Sequence, residues 1–282
     1  MNPLRWQLRD RVLSFGPRPV VLGILNVTPD SFSDGGRFTD TASAVEHALH
    51  LVAEGADILD VGGESTRPRA ETVPLDEELR RVVPVVADLC RRSSVPVSVD
   101  TMKPEVARRC LDAGAAIIND VAGFRDPEMV RVAAEHKAAV IVMHMQGTPQ
   151  TMQVNPQYAN VTREVGEFFE ERLRDLAKSG ISPEAVCLDP GIGFGKTQEH
   201  NLELLANLGE FARFGRPLCL GVSRKGFIGA LCGREKADRL AGSLAVACFA
   251  AARNEAHLLR VHDVAATRDA AVMLEAINRS RR

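Results

Sequence analysis

Eight short runs of Val, Ile, Leu and Ala recur along the chain, and most are followed by a stretch with the spacing of an amphipathic helix. This alternation constrains the fold more than any other feature. The runs cover residues 20–27, 58–61, 95–99, 116–118, 138–143, 186–188, 218–222 and 258–261. They are nearly continuous in apolar residues, so each strand is buried on both faces, as in a parallel sheet covered by helices. Helical periodicity runs through 41–54, 75–91, 104–112, 127–136 and 161–178, with Gly55, Gly114 and Gly180 placed as helix stops. Spread over eight units, 282 residues give about 35 each, close to the ~30 of a βα repeat.

Two architectures suit that pattern, and polarity at the strand ends separates them. A closed barrel delivers the C-terminal end of every strand to one mouth, whereas an open doubly wound sheet concentrates its ligand at a switch point. Polar residues follow all eight runs: Asn26 and Thr28, Asp60 and Glu64, Asp100, Asn119 and Asp120, His144 and Gln146, Asp189, Ser223 to Lys225, and Arg260 with His262 and Asp263. The expected fold is therefore α/β, a single (β/α)8 TIM barrel over residues 19–282. Residues 1–18 are expected to form a short hairpin against the barrel floor.

Composition excludes several classes. With 35 Lys+Arg against 37 Asp+Glu the net charge is −2, and 5% of residues are aromatic, so no nucleic-acid partner is expected. The longest uncharged, mostly apolar stretch near the C-terminus, 240–252, contains Gly and Ser and is 13 residues long, short of the roughly 18 that span a bilayer. Charges within the first ten residues interrupt any signal-peptide core, so a cytoplasmic protein without a membrane partner is expected. The six cysteines are dispersed, without a CxxC or Cys/His ligand spacing, and read as reduced core hydrophobes.

Three constellations carry chemistry. Asp60, Asp100, Asn119 and Asp189 each end a different strand; one such residue is as often a turn cap, but four together point to a site. Carboxylates and an amide without His or Cys suit a hard metal or the donor edge of a flat heterocycle, and Lys225 adds a cation. The second set, Ser223-Arg224-Lys225-Gly226 and Arg260-Val261-His262-Asp263, follows the seventh and eighth strands, where barrels commonly hold phosphate. Arg offers a fork for phosphate oxygens, His a further donor, and Asn26 an oxygen for magnesium; the bland alternative is a solvated basic helix start. Third, two polar loops, 28–36 with Phe32 and 62–70, are long enough to close over the mouth and exclude water.

Two further features carry less. Residues 190–197 (PGIGFGKT) imitate a Walker A loop, but the first required glycine falls on Pro190, so the glycines are read as bringing backbone close to a ligand over Asp189, with Phe194 as an apolar wall. His136, His200 and His257 are isolated and read as surface or helix-end residues.

These residues resemble the dihydropteroate synthases of the pterin-binding (β/α)8 family. The matching segments are GILNVTPDSFSDGG (23 to 36), DVGGESTRP (60 to 68), SVDT (98 to 101), INDVAG (118 to 123), MHMQGTP (143 to 149), DPGIGFGK (189 to 196), GVSRKGFIG (221 to 229) and RVHDV (260 to 264). The resemblance implies joining of 6-hydroxymethyl-7,8-dihydropterin pyrophosphate to 4-aminobenzoate, giving 7,8-dihydropteroate and pyrophosphate in folate biosynthesis. It implies that Asp100, Asn119, Asp189 and Lys225 hold the pterin, with Asp60 supporting that pocket. Thr66, Arg67, Pro68, Phe194, Ser223 and Lys225 would border 4-aminobenzoate. Asn26, Arg67, Arg260 and His262 would hold pyrophosphate, with Asn26 on Mg2+. Asp100, Lys225, Arg260 and His262 are the implied catalytic set, with sulfonamide-type competitors and a homodimer through the last helices also implied. The small-residue stretch 240–251 suits such a dimer and burial in its own core equally well.

One departure is visible: Arg69 stands where the family usually has Gly, a costlier residue wherever φ is positive. A pterin-binding methyltransferase shares the acid and amide set but has no need of the phosphate-binding residues. The near-neutral charge is expected to average two opposed patches: Asp60, Asp100 and Asp189 on one side, and Arg67, Arg224, Lys225, Arg260 and His262 on the other.

Overall fold

The computed structural model describes residues 4–28, 37–66 and 70–280. An antiparallel hairpin, β1 (Arg5–Gln7) and β2 (Val12–Ser14), leads into alternating strands and helices. These are β3 (Val20–Asn26), α1 (Arg37–Ala53), β4 (Ile58–Gly62), α2 (Leu75–Arg92), β5 (Val97–Asp100), α3 (Pro104–Asp112), β6 (Ile117–Asp120), α4 (Pro127–Glu135), β7 (Ala139–Met143) and α5 (Val161–Lys178). There follow β8 (Val186–Asp189), α6 (Gln198–Ala206), β9 (Cys219–Leu220), α7 (Gly226–Cys232), α8 (Leu240–Ala252), β10 (Leu258–Val261) and α9 (Val264–Arg279). Strands β3 to β10 pair in parallel, in the order β8-β7-β6-β5-β4-β3-β10-β9, and a parallel bridge between Leu188 and Leu218 joins the two ends. The order runs round the ring without reversal, which is the expected (β/α)8 barrel rather than an open doubly wound sheet.

Differences from the sequence reading have local causes. The third run begins as a strand at Val97, two residues late, because Pro96 has no N–H to give the ladder; its carbonyl accepts from Leu59 N at 3.1 Å. The seventh run shrinks to Cys219–Leu220, between Pro217 and Gly221. Helices α6, α7 and α9 complete the ring, α6 being opened by Thr197, whose Oγ1 accepts from His200 N at 3.2 Å.

Strand side chains alternate between the barrel interior and the helix layer, so residue parity sorts their roles. Inward floor positions Leu22, Ile58, Ile117, Ile141, Cys187, Cys219 and Leu258 form one apolar cluster with Trp6, Leu8 and Phe15 of the hairpin. The hairpin thus plugs the floor, and fully buried Trp6 donates Nε1–H to Ala185 O at 2.9 Å. Outward positions such as Leu25, Leu59, Val99, Ile118 and Val142 join the larger core beneath the helices. Among the described residues no helix is long and apolar enough to cross a membrane.

Candidate active site

The same parity brings the polar set into the mouth. Register pairs Ile24 with Asp60, Asp60 with Ser98, Asp100 with Asn119, and Met143 with Asp189, and parallel neighbours point to the same side of the sheet. One inward step above the apolar floor therefore lie Asp60, Asn119, Asp189 and Arg260, with Asp100 another step toward the mouth. Asp120 has the opposite parity: its carboxylate accepts from Ala122 N at 2.8 Å and Phe124 N at 2.7 Å and caps the turn after β6.

Asp60, Asp100, Asn119 and Arg260 form one network. Arg260 Nε donates to Asp60 Oδ2 at 2.6 Å, a terminal Arg260 nitrogen donates to Asp100 Oδ2 at 2.5 Å, and Asn119 Nδ2 donates to Asp60 Oδ2 at 3.0 Å. Arg260 thus sits among the acids, contrary to the expected separation of charge. The physical reason is burial: Asp60 is 0% and Asp100 7% exposed, and buried carboxylates need a shared cation. Burial works against the Arg260 charge, but the two carboxylates hold the guanidinium protonated above its ordinary range.

One guanidinium cannot satisfy both acids. Asp60 Oδ1 and Asp100 Oδ1 are buried without any hydrogen-bond partner. Burial pushes Asp100 up to about 7, against Arg260 and with Asp60, Glu78 and Asp120 adding to the rise. Each orphaned acceptor costs about 1–3 kcal/mol, which a ligand bearing N–H donors would offset. The carboxylates are spent on Arg260 rather than arranged about a common centre, so this geometry favours the flat, donor-rich heterocycle over the hard metal.

Asp189 and Lys225 occupy the next sector. Asp189 Oδ1 accepts from Gly191 N at 2.7 Å, and burial raises its carboxyl despite that bond and the nearby cations Lys225, Arg260 and Lys196. Burial draws Lys225 down to about 7, with Asp189 opposing, and its Nζ lies 3.9 Å from the Phe194 ring centroid. The glycine loop therefore presents Phe194 as a wall beside a cation that is only partly charged at neutral pH.

Beyond β9 and β10, Ser223 Oγ contacts His262 Nδ1 at 3.0 Å and accepts from His262 N at 3.2 Å. Burial, followed by Arg260, Arg224 and Lys236, draws His262 down to about 4, so it is neutral at pH 7. Arg224 stands at φ 56° with its fork on Asp263, and its backbone N–H is held by Ser243 Oγ at 2.9 Å. Its donors are thus directed at a carboxylate rather than left for phosphate. Asn26 ends β3, half-buried, with its amide engaged by no described residue. Thr66 is half-buried at the edge of the second loop. Arg67, Pro68, Arg69 and Phe32 lie outside the described residues.

Sequence reasoning missed a second network at the root of that loop. Fully buried Glu78 on α2 accepts from Thr101 Oγ1 at 2.7 Å and pairs with Lys103, which also binds Glu64. Only a buried acidic position on the apolar face of α2 could have signalled it. Of the three histidines set aside, His136 and His200 lie at helix ends, whereas His257 lies before β10, where its Nδ1 accepts from Leu218 N at 3.1 Å. Among the described residues, no group of three or more His, Cys, Asp or Glu could hold a metal.

Comparison with known proteins fits this geometry. The family described as pterin binding enzyme matches residues 22–262. The dihydropteroate synthase of Escherichia coli K12 is 50% identical over 258 residues, covering 92% of this chain and 91% of that protein. The solved structure of Xanthomonas albilineans dihydropteroate synthase with 4-aminobenzoic acid superposes with a TM-score of 0.92 at 47% identity, covering 98% of this chain and 99% of that one. The same enzyme in complex with 7,8-dihydropteroate gives a TM-score of 0.88 at 45% identity, covering 97% and 98%.

Proposed function

The chain belongs to the pterin-binding enzyme family, and from that premise we infer that it carries out the dihydropteroate synthase reaction. It condenses 6-hydroxymethyl-7,8-dihydropterin pyrophosphate with 4-aminobenzoate, a C–N bond-forming transfer that yields 7,8-dihydropteroate and pyrophosphate. The observation that carries the reading is the pair of buried, partnerless acceptors on Asp60 and Asp100. A pterin edge presents an amino group and a ring N–H, the donors those atoms lack.

The residues divide the work as follows. Asp60, Asp100, Asn119, Asp189 and Lys225 hold the pterin. Arg260 uses two of its five N–H donors on Asp60 and Asp100, leaving three for pyrophosphate, which His262 also meets. Breaking the C–O bond to pyrophosphate leaves the pterin methylene cationic, and ionised Asp100 stabilises that charge beside the ring. Lys225 and the Phe194 wall, with Ser223, Thr66, Arg67 and Pro68, present the aryl amine. Its nitrogen forms the new bond and then sheds its surplus proton, and because an aryl ammonium is acidic no strong general base is needed.

Mg2+ fits the set as a substrate-borne ion. Such an ion needs few protein ligands, and the amide oxygen of Asn26, engaged by no described residue, would hold it together with the substrate's phosphate oxygens. When bound it supplies charge neutralisation on the departing pyrophosphate.

A cytoplasmic homodimer is part of the same reading. Phe249 on α8 and Val272, Met273 and Ile277 on α9 are 47–59% exposed, an apolar face suited to a second copy, which sedimentation would detect. Sulfonamide-type compounds would compete at the aminobenzoate position.

The test of function is direct. Protein, dihydropterin pyrophosphate, 4-aminobenzoate and magnesium are mixed, and dihydropteroate and pyrophosphate are measured; equal amounts of both are expected. Folded protein that binds pterin but makes neither product would overturn the assignment.

A further inference from the structure

Lys196 takes no part in the roles above, yet it is 3% exposed. Its Nζ lies 3.0 Å from His144 Nδ1, 3.3 Å from His144 O, 3.1 Å from Gly191 O and 3.0 Å from Phe194 O. Burial, then Lys196 and Arg125, draws His144 down to about 2, so its imidazole is neutral and its bare Nδ1 accepts the Lys196 proton donor.

The backbone explains why these acceptors converge. Gly191 and Gly195 stand at φ 67° and 57°, and a Cβ there would lie 1.9 Å from His144 O and 2.6 Å from Gln146 O. The glycine loop therefore lies directly on the backbone of 144–146. Its carbonyls, with that of His144, turn toward the space that Lys196 fills. Buried carbonyls need donors, and the N–H groups of Lys196 are shared among these three carbonyls and His144 Nδ1, with His144 O the most distant. One belongs to Phe194, whose ring faces Lys225 Nζ.

We propose that Lys196 is a positioning residue for the aminobenzoate half of the site, gathering the carbonyls of Gly191, Phe194 and His144 so that the Phe194 ring is fixed beside Lys225. This rests on the reading that 4-aminobenzoate lies between Phe194 and Lys225. Of the pterin residues, Asp60, Asp100 and Asn119 sit on strands away from the loop, while Asp189 meets it only at Gly191 N and Lys225 only at the Phe194 ring, so the aminobenzoate side takes the larger loss. Loss of Lys196 therefore separates the two substrates.

The experiment compares Lys196→Met, which keeps the stem and removes the donors, with His144→Leu, which removes one of the four acceptors, and with Phe194→Ala as a reference. For Lys196→Met, KM for 4-aminobenzoate rises about tenfold or more while the dissociation constant of dihydropterin pyrophosphate alone changes less than about threefold. His144→Leu shifts in the same direction by about threefold and carries the test if Lys196→Met does not fold. A lower melting temperature or kcat with unchanged KM for 4-aminobenzoate would reduce Lys196 to a structural residue and overturn the proposal. Equal losses for both substrates would overturn it as well. If Phe194→Ala itself leaves that KM unchanged, the placement of aminobenzoate is wrong and the proposal falls with it. If Phe194→Ala raises KM and Lys196→Met does not, only the proposal falls.

Discussion

Replacing Asp100 by Asn should make the free protein's stability less sensitive to pH. Asp100 is 7% exposed, its Oδ1 has no partner, and its carboxyl is pushed from 3.8 up to about 7 chiefly by burial. A native acid that holds its proton more tightly than the unfolded chain contributes stability that is complete below about pH 4 and lost as pH rises through about 7. At about 1.4 kcal/mol per pH unit, the whole loss is about 4 kcal/mol, of which about 3 goes between pH 5 and 8. Asn keeps the side-chain shape and cannot ionise. Whatever constant cost it brings, the stability of Asp100→Asn relative to the parent should therefore improve by about 3 kcal/mol between pH 5 and pH 8. For a chain of this size that is about 6 °C in melting temperature. Thermal melts of both proteins across that range, without ligand, measure it. Parallel profiles would show that Arg260 keeps Asp100 ionised throughout, and the argument from burial would be wrong.

Three further outcomes follow from the same geometry. Pterin donors favour ionised Asp100, so pterin binding below about pH 7 should release a proton and weaken as pH falls, by up to about tenfold in all; calorimetry in buffers of different ionisation enthalpy reads the proton, and Asp100→Asn should reduce the dependence. His262→Ala should raise the dissociation constant of pyrophosphate about tenfold and leave that of pterin unchanged, the worth of one good donor to phosphate; an unchanged pyrophosphate constant refutes its role. Lys103→Met leaves Glu78 buried without its cation and should cost about 3–5 kcal/mol, read by chemical denaturation; a change below about 1 kcal/mol would show that the pair does not hold the root of the second loop.

The barrel was legible because its signals are periodic. Apolar runs marked the strands, and polar residues at their ends marked the mouth; the parity of Asp60, Asp100, Asn119, Asp189 and Arg260 then turned all five inward. The outward turn of Asp120 was equally available from parity. The pairing partners were not legible. Nothing in the spacing places Arg260 between Asp60 and Asp100, because strand ends far apart in sequence meet only when the ring closes. The contact between Lys196 and His144 was hidden for the same reason: with the Walker A match failing at Pro190 the sequence leaves Lys196 without a role, and only the packing of the 190–197 loop on the 144–146 backbone turns it toward carbonyls. The Glu64, Glu78 and Lys103 network likewise depends on the approach of α2 to the loops after β4 and β5.

The claim that the mouth works chiefly by stabilising positive charge at the pterin methylene is tested most directly by Asp100→Asn in steady-state turnover alongside equilibrium binding of dihydropterin pyrophosphate. Asn retains an acceptor for the pterin edge but not the negative charge. The account predicts that kcat falls by about 100-fold or more while the pterin dissociation constant rises less than about tenfold. Equal losses in kcat and in binding would contradict it, leaving Asp100 as a recognition residue.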